Sequence, residues 1–280
     1  MLDLKLLNRF QILKWDCANV DESLQCLASK TEHKNEVKNG LNPQRMVSQI
    51  PYLKGYFFLM ELSSLVGLPP FLLSLKKYVE RFHGCLISTE ECVAFFTEEF
   101  HDKHIEMLSQ TWLYSNQLPE QVISDEQLYA NQFYIEVIRH FQFWKRKIEK
   151  KDRRKGCLQF GDPWARADQL VTLLDQLLEM PARIPAYIMK DIIDHYQPHT
   201  VNADVYHRTC ELIVTNKYSD GLVLVEEFLM GHTAMGAYLY GELMMTDREV
   251  FKNVAVGVYE MIKSDLDADF SAIVFGLINS

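Results

Sequence analysis

Residues 51–59 read Pro51-Tyr52-Leu53-Lys54-Gly55-Tyr56-Phe57-Phe58-Leu59, an aromatic-rich stretch whose composition is typical of the start of a buried helix. We predict that this helix runs from about Tyr52 to Val66. The next segment, Gly67-Leu68-Pro69-Pro70, contains two prolines, which lack a backbone donor and end a helix. A new helix is expected from Phe71 to Phe82.

The neighbouring segments also have helical spacing. The chain opens with a helix, one face of which holds Leu4, Leu7, Phe10 and Leu13. Polar residues from Ser29 to Gly40 predict a loop. Ser88-Thr89-Glu90-Glu91 has the pattern of a capping box and starts a helix that ends near Phe100. A long amphipathic helix follows Pro119, and its apolar stripe consists of Tyr134, Ile138, Phe141, Trp144 and Ile148.

From Ala165 onward the sequence alternates helical segments of about 12–18 residues with short breaks. The breaks fall at 181–185, 198–202, 217–221, 231–232 and 246–247. Helices of this length without a strand pattern between them predict an all-α fold, with stacked pairs in an armadillo- or HEAT-like α–α superhelical layer. No exact internal repeat is present, so this prediction concerns the architecture only.

Composition limits the class of protein to which the chain can belong. Its 280 residues predict about two domains, and its 48% hydrophobic content is ample for packed cores. The formal net charge of −9 disfavours a protein that binds nucleic acid over a broad surface, because such proteins need surplus Lys and Arg. The six cysteines form no C-x-x-C pair and are expected to be reduced thiols.

The cellular location is expected to be cytoplasmic, with nuclear or nucleolar localisation as the alternative. The N-terminal residues do not resemble a signal peptide, because charged residues interrupt the apolar ones. No apolar run approaches the ~20 residues of a membrane span, so no membrane partner is expected.

Short catalytic motifs are absent from the sequence, including H-E-x-x-H, G-x-S-x-G, G-x-x-x-x-G-K-[ST] and G-x-G-x-x-G. His101 and His104 are three residues apart, so on a helix they could share a metal ion. A catalytic zinc site needs about three protein ligands, and the sequence places no third ligand with them. The expected interpretation is therefore exposed polar residues at a helix end.

Residues 145–155 carry eight basic residues together with Glu149 and Asp152. A solvated helix end, followed by a domain linker around 150–165, is the simpler interpretation. A phosphate-binding patch or a nuclear targeting signal is the alternative.

Several segments, in order along nearly the whole chain, resemble zinc aminopeptidases of peptidase family M1, of the leukotriene A4 hydrolase and aminopeptidase B type. Residues 50–59 are similar to their V-P-Y-x-K-G-x-x-x-L signature. Residues 71–82 and 87–91 resemble F-L-x-x-L-K-x-Y-V-E-x-F and S-I-T-T-x-D, and residues 112–119 resemble W-L-Y-S-x-G-L-P with Gln117 in place of the glycine. Residues 208–214 and 234–244 are similar to the aminopeptidase O branch, which also has a counterpart of the basic run.

The resemblance implies a fold and a domain order. Residues 1–118 would be the helical lower part of a thermolysin-like catalytic domain, and 119–165 a connecting helix and basic linker. Residues 166–280 would be the leukotriene A4 hydrolase-type C-terminal helical domain. Tyr52 matches the family's catalytic tyrosine, which stabilises the transition state.

The same resemblance implies which functional residues of the family are missing from this chain. The family's H-E-x-x-H and its downstream Glu ligand would lie before Met1. A basic pair in the C-terminal domain of leukotriene A4 hydrolase holds the substrate carboxylate, but His232 and Ala234 are at those positions here and do not repeat it.

Two functions from different classes are therefore expected. The first is part of a zinc aminopeptidase that removes N-terminal residues from peptides. Zinc would be present in the intact enzyme, none would be bound by this chain, and the chain alone would be inactive. The second is a non-catalytic helical protein-interaction module, since concave helical layers commonly bind partners.

Overall fold

The computed structural model describes residues 2–16, 50–101, 104–115, 118–119, 125–150 and 167–279. These residues form helices and turns without a β-strand, so the predicted all-α fold is confirmed for them. The predicted loop from Ser29 to Gly40 lies outside this part of the chain. The α-helices are α1 (Leu2–Asp16), α2 (Ile50–Val66), α3 (Leu68–Phe82), α4 (Thr89–Phe100), α5 (His104–Ser109), α6 (Asp125–Ala130), α7 (Gln132–Lys150), α8 (Ala167–Leu178), α9 (Ala186–Tyr196), α10 (Ala203–Thr215), α11 (Leu222–Gly231), α12 (Ala237–Met245), α13 (Glu249–Ile262) and α14 (Ala268–Ile278).

Contacts within the chain group its residues into two compact units. The N-terminal unit consists of Arg9–Glu32 and Val47–Val122, and the C-terminal unit of Met1–Asn8, His33–Met46 and Ile123–Ser280. The domain limits at 118 and 165 that the resemblance implies stay a prediction. None of the helices just given is long and apolar enough to cross a membrane.

Aromatic side chains form much of the interior of the N-terminal unit. Helix α2 packs against α3, α5 and the π-helical segment Gln110–Tyr114. Its buried side chains include Leu53, Phe57, Phe58 and Leu62. Helix α3 packs on α4 through ring contacts among Phe71, Tyr78, Phe82, Phe95 and Phe96. Rings of this size remove a large apolar area from water, which stabilises the unit.

The two prolines at 69 and 70 belong to the start of α3. Gly67 is the N-cap residue, with a φ of 87° that glycine adopts without steric cost. Leu68 is the first helical residue, and Pro69 and Pro70 follow in the first turn, where their missing N–H would have no intrahelical partner. The predicted start at Phe71 is therefore three residues too late.

The predicted capping box at the start of α4 is confirmed. The Glu91 N–H donates to Ser88 Oγ at 3.2 Å, and the Ser88 N–H donates to Glu91 Oε2 at 2.7 Å. These bonds satisfy two donors at the start of the helix. The helix ends at Phe100, as predicted.

Successive helices of the C-terminal unit pack in two layers. Helices α8, α10, α12 and α14 follow one another in one layer, and α11 packs on α13 in the other. Contacts of α10 with α11 and of α12 with α13 join the layers, and their buried side chains form a common core. The predicted helix breaks are present, and this stacking is that of the expected armadillo-like domain.

Helix α7 buries a face that differs from the predicted stripe. Only Trp144 and Ile148 of the stripe are buried, and its other members are half-buried. The buried face also includes two polar residues, His140 and Lys147. Lys147 lies there because its Nζ is 3.5 Å from Asp191 Oδ2, which offsets the cost of desolvating the ammonium.

A hydrogen-bond chain links α7 to α9. The Trp144 Nε1–H donates to the Tyr196 hydroxyl oxygen at 2.9 Å, and His140 Nδ1 lies 2.6 Å from the same oxygen. The Tyr196 oxygen therefore accepts from the indole N–H, and the donor in its short contact with His140 Nδ1 depends on the tautomer of the imidazole. Burial lowers the pKa of His140 to about 4, with the charge on His195 acting in the same direction.

The contribution of His140 to the free energy of unfolding is expected to decrease as the pH falls from about 6.5 towards 4, whereas the raised pKa of Asp175 acts in the opposite direction. In that window the unfolded chain binds a proton on this imidazole and the folded chain does not. His140→Gln should lose this contribution, because glutamine keeps a hydrogen-bonding group beside the Tyr196 hydroxyl but does not titrate. Urea unfolding at a series of pH values measures both proteins, and an identical pH dependence would contradict this role of His140.

Candidate functional site

The predicted catalytic tyrosine lies on the exposed face of α2. Tyr52 is 67% exposed, whereas Leu53 and Phe57 are buried on the other side of the helix. Side chains four residues apart on a helix share a face, so Tyr56 follows Tyr52 one turn later on the same face of α2. The phenol is therefore accessible at the surface and is not enclosed in the core.

A buried lysine fixes the beginning of α2. Lys54 is fully buried, and its Nζ donates to the Ser115 carbonyl oxygen at 2.6 Å. The ring of Phe57 stacks on Trp112, with ring centroids 5.1 Å apart and an interplanar angle of 19°. The P-Y-x-K-G and W-L-Y-S segments therefore meet in the structure. Together they hold the helix that presents Tyr52.

The segment that contacts Lys54 follows a wide helical turn. Helix α5 continues directly into the π-helical residues Gln110–Tyr114, where each turn contains more residues than an α-helical turn. Trp112 and Leu113 in this segment are both buried. Ser115 follows the segment in an extended conformation, with φ −84° and ψ 143°. Its carbonyl oxygen accepts the hydrogen bond from Lys54 Nζ.

The face of α2 that carries Tyr52 also holds Tyr56, whose ring contacts a positive charge. A Cβ built on Gly55 would meet no atom of the described residues within 4 Å. The guanidinium carbon of Arg9 lies 4.4 Å from the centroid of the Tyr56 ring, a cation–π distance. Arg9 is itself exposed. This face therefore combines a phenol, an unobstructed stretch of backbone and a guanidinium group.

The histidine pair lies at the junction of α4 and α5. His101 caps α4 with a left-handed φ of 51°, His104 begins α5, and both are exposed, as expected. Residues 102–103 lie outside the described residues. In the part of the chain that the structure describes, no group of three or more His, Cys, Asp or Glu could hold a metal ion. These residues therefore do not fit a zinc site.

The basic run divides into residues with different environments. Residues 145–150 end α7, and 151–155 fall outside the described ranges. Lys145 Nζ lies 3.9 Å from Glu149 Oε1, and both side chains are largely exposed. Lys147 is instead buried, with its Nζ 5.5 Å from the Trp144 ring. The run is therefore not a uniformly solvated patch, because Lys147 belongs to the packing of the C-terminal unit.

The two positions at which the resemblance places the carboxylate clamp lie between α11 and α12. His232 is the C-cap residue of α11, and Ala234 is in the short 3₁₀ turn Thr233–Met235. His232 is exposed, with its ring centroid 4.8 Å from that of Phe228. The contact observed at this position is thus an aromatic one.

The segment 208–214 has a structural role. Arg208 Nε donates to Asp175 Oδ1 at 2.7 Å, and both side chains are about nine-tenths buried. Burial raises the pKa of Asp175 to about 6, although the Arg208 guanidinium acts in the opposite direction. Removing one partner would leave a buried, uncompensated charge. The pair therefore fixes the packing of α10 on α8.

Sequence analysis predicts a catalytic role for Tyr52, which stays a prediction, and it singles out neither Arg9, Lys54 nor Tyr56. A signal for Lys54 was present, since it is the lysine of the P-Y-x-K-G signature within an otherwise apolar helix start. Arg9 and Tyr56 lie on different helices and are distant in sequence, so no spacing rule connects them.

Known proteins resemble this chain over most of its length. The family model described as "Leukotriene A4 hydrolase, C-terminal" matches residues 165–274. The chain is 32% identical over 260 residues to "Aminopeptidase O" of Homo sapiens, covering 88% of this chain and 31% of that protein. It is 30% identical over 292 residues to "Aminopeptidase O" of Rattus norvegicus, covering 97% and 35%. The chain spans about a third of the length of the curated relatives it matches.

Replacing Lys54 by alanine is expected to lower the free energy of unfolding by about 2–4 kcal/mol. The variant removes the donor to a carbonyl group and leaves a cavity in the interior. Lys76→Ala is the matched control, because Lys76 is exposed and pairs only loosely with Glu80 at 3.8 Å. Its effect should stay within about 0.5 kcal/mol. Chemical denaturation measures both variants, and equal effects would show that the buried lysine is not an anchor.

Proposed function

Because the chain belongs to the aminopeptidase family of these relatives and carries a leukotriene A4 hydrolase C-terminal domain at residues 165–274, we propose that it forms the Tyr52-bearing helical part of a zinc aminopeptidase. Its substrates would be peptides, from which the intact enzyme removes the N-terminal residue. The supporting observation is the exposed Tyr52 phenol on a helix that Lys54 anchors from its buried side.

The chemistry that suits Tyr52 is hydrogen bonding to a developing negative charge. When water adds to the carbonyl carbon of a peptide bond, charge develops on the carbonyl oxygen. A phenol O–H donated to that oxygen stabilises the tetrahedral species more than it stabilises the substrate. Lys54 and Trp112 contribute by holding α2, so that the hydroxyl is already positioned when the charge appears.

Zinc would supply Lewis-acid activation of the attacking water in the intact enzyme. The described residues offer no suitable group of ligands, and the 280-residue sequence contains no H-E-x-x-H. We therefore assign to this chain the binding and orientation of the peptide and the hydrogen bond from Tyr52. The zinc ligands and the general base are assigned to residues outside these 280.

A non-catalytic interaction module is the second candidate function. The last two helices expose large apolar side chains, at Val250, Val256, Met261 and Phe275. Stacked helical layers commonly use such surfaces to bind partners. A hybrid enzyme, described below, separates the candidates: a folded hybrid that retains zinc but turns over no substrate would favour the interaction module.

We place this part of the enzyme inside the cell, in the cytoplasm or the nucleus. Among the residues that the structure describes, Cys85, Cys92 and Cys210 are free thiols. Free thiols are typical of proteins from reducing compartments. The basic run supports the nucleus less than its sequence suggests, because Lys147 is buried.

The 280-residue chain alone is expected to release no amino acid from aminoacyl amides. The reason is that it contributes a hydrogen-bond donor but no metal-activated water. Fluorogenic aminoacyl amides, assayed with added zinc and with intact human aminopeptidase O as the positive control, provide the measurement. Zinc-dependent turnover by the isolated chain would show that this assignment is wrong.

A hybrid in which residues 1–280 replace the aligned third of human aminopeptidase O tests the role of Tyr52. Tyr52→Phe should lower kcat about 100- to 1000-fold, because one donor to the developing oxyanion is lost. KM should change little, since the ring remains. Steady-state kinetics and zinc content are measured together.

The matched control for this substitution is Tyr56→Phe, which removes a hydroxyl from the same face of α2 and should retain the parent kcat. If kcat of the Tyr52→Phe hybrid stays within about threefold of the parent while zinc is retained, the proposed role of Tyr52 is rejected.

A further inference from the structure

We propose that Arg9, held over the ring of Tyr56, binds a carboxylate of the peptide substrate close to the carbonyl group that contacts Tyr52. This inference rests on the proposed function, and it adds a preference for peptides that carry a carboxylate near the cleaved bond. The carboxylate is either the C-terminus of a short peptide or the side chain of a nearby Asp or Glu.

The first argument is the environment of Arg9. Its guanidinium carbon lies 4.4 Å from the Tyr56 ring centroid, and the residue is exposed. Within the described ranges, its guanidinium makes no hydrogen bond or ion pair. Arg81 of the same unit differs, because its Nη1 lies 3.1 Å from Glu98 Oε2. The charge of Arg9 is thus held in place by an aromatic ring without being neutralised by a carboxylate.

The second argument is the arrangement of donors on the guanidinium. Its central carbon lies over the Tyr56 ring, and its five N–H donors lie in the plane of the group. An aromatic ring accepts no conventional hydrogen bond at these edges, so the contact restricts the position of the group and leaves its donors available. Those edges match the two oxygens of a carboxylate, which arginine binds through paired hydrogen bonds.

The third argument is the position of Tyr56 relative to Tyr52. Four residues on a helix correspond to about 6 Å along its axis, and helical side chains lean towards the N-terminus. The Tyr56 ring therefore leans back towards the turn that carries Tyr52. A Cβ built on Gly55, between them in sequence, would meet no atom within 4 Å among the residues that the structure describes.

The fourth argument is the reach of a peptide. An extended chain advances about 3.3–3.6 Å per residue, so a carboxylate two or three residues beyond the carbonyl at Tyr52 can arrive at Arg9. The chain has a net charge of −9, so its overall field repels an anionic peptide. The positive charge of Arg9 attracts the carboxylate locally and so offsets that repulsion at the proposed binding site.

The experiment uses the whole 280-residue chain and NMR of arginine side-chain Nε–H groups, with the Arg9 signal assigned by its loss in Arg9→Gln. The probes are trialanine, trialanine amide and N-acetyl-Ala-Glu-Ala amide. Trialanine should shift the Arg9 signal saturably and bind about tenfold or more tightly than its amide, because a charge-assisted bond is lost in the amide. The third probe distinguishes an acidic side chain from a free C-terminus as the source of the carboxylate.

The variants separate a specific site from general charge. Arg9→Gln should lose the difference between trialanine and its amide, as should Tyr56→Leu, which removes the ring but keeps the cation. The matched control is Arg81→Gln, which removes an arginine that is already ion-paired and should bind like the parent chain. Far-ultraviolet circular dichroism confirms that each variant retains its helix content.

The proposal would be overturned if neither carboxylate probe bound more tightly than trialanine amide, if Arg9→Gln retained the difference, or if neither carboxylate probe gave a saturable shift. The proposed function fails separately, since Tyr52→Phe in the isolated chain should leave carboxylate binding unchanged. Loss of the Tyr52 role in the hybrid would therefore not be confused with loss of the Arg9 site.

Discussion

The hydrogen bond from the buried Lys54 ammonium to the Ser115 carbonyl oxygen determines where the exposed face of α2 lies. An ammonium group in an apolar interior is costly unless it is hydrogen-bonded, so this contact tolerates little movement of either segment. The stack of Phe57 on Trp112 adds a second constraint from the same two segments. These two contacts fix the position of Tyr52 by holding α2, although Tyr52 takes part in neither of them.

The C-terminal unit uses buried polar groups in a different way. The Asp175–Arg208 pair joins α8 to α10, and the His140–Tyr196–Trp144 chain joins α7 to α9. In both cases each polar group has a partner inside the unit, so these residues fix packing and present no reactive surface.

Most of the helices follow from the sequence, because their signals are local. The capping box of α4 and the breaks of the C-terminal unit needed only residues within a few positions of one another. The start of α3 was misplaced because proline ends one helix and begins another equally well. The α7 face was misjudged because His140 and Lys147 are buried only through partners on a distant helix, α9. The cation–π contact of Arg9 with Tyr56 was not predicted for the same reason, because nothing in the sequence around either residue indicates that the other lies beside it.

The wide turn at Gln110–Tyr114 makes the number of residues between α5 and Ser115 as important as their identity. If one residue were removed there and the winding stayed the same, everything after it would rotate by roughly a quarter of a turn relative to α5. The Ser115 carbonyl would then no longer meet Lys54, although every side chain that packs in the region would still be present. Relatives that differ in length at this point must support the same helix with another acceptor, whereas changes of length in surface loops elsewhere carry no such requirement.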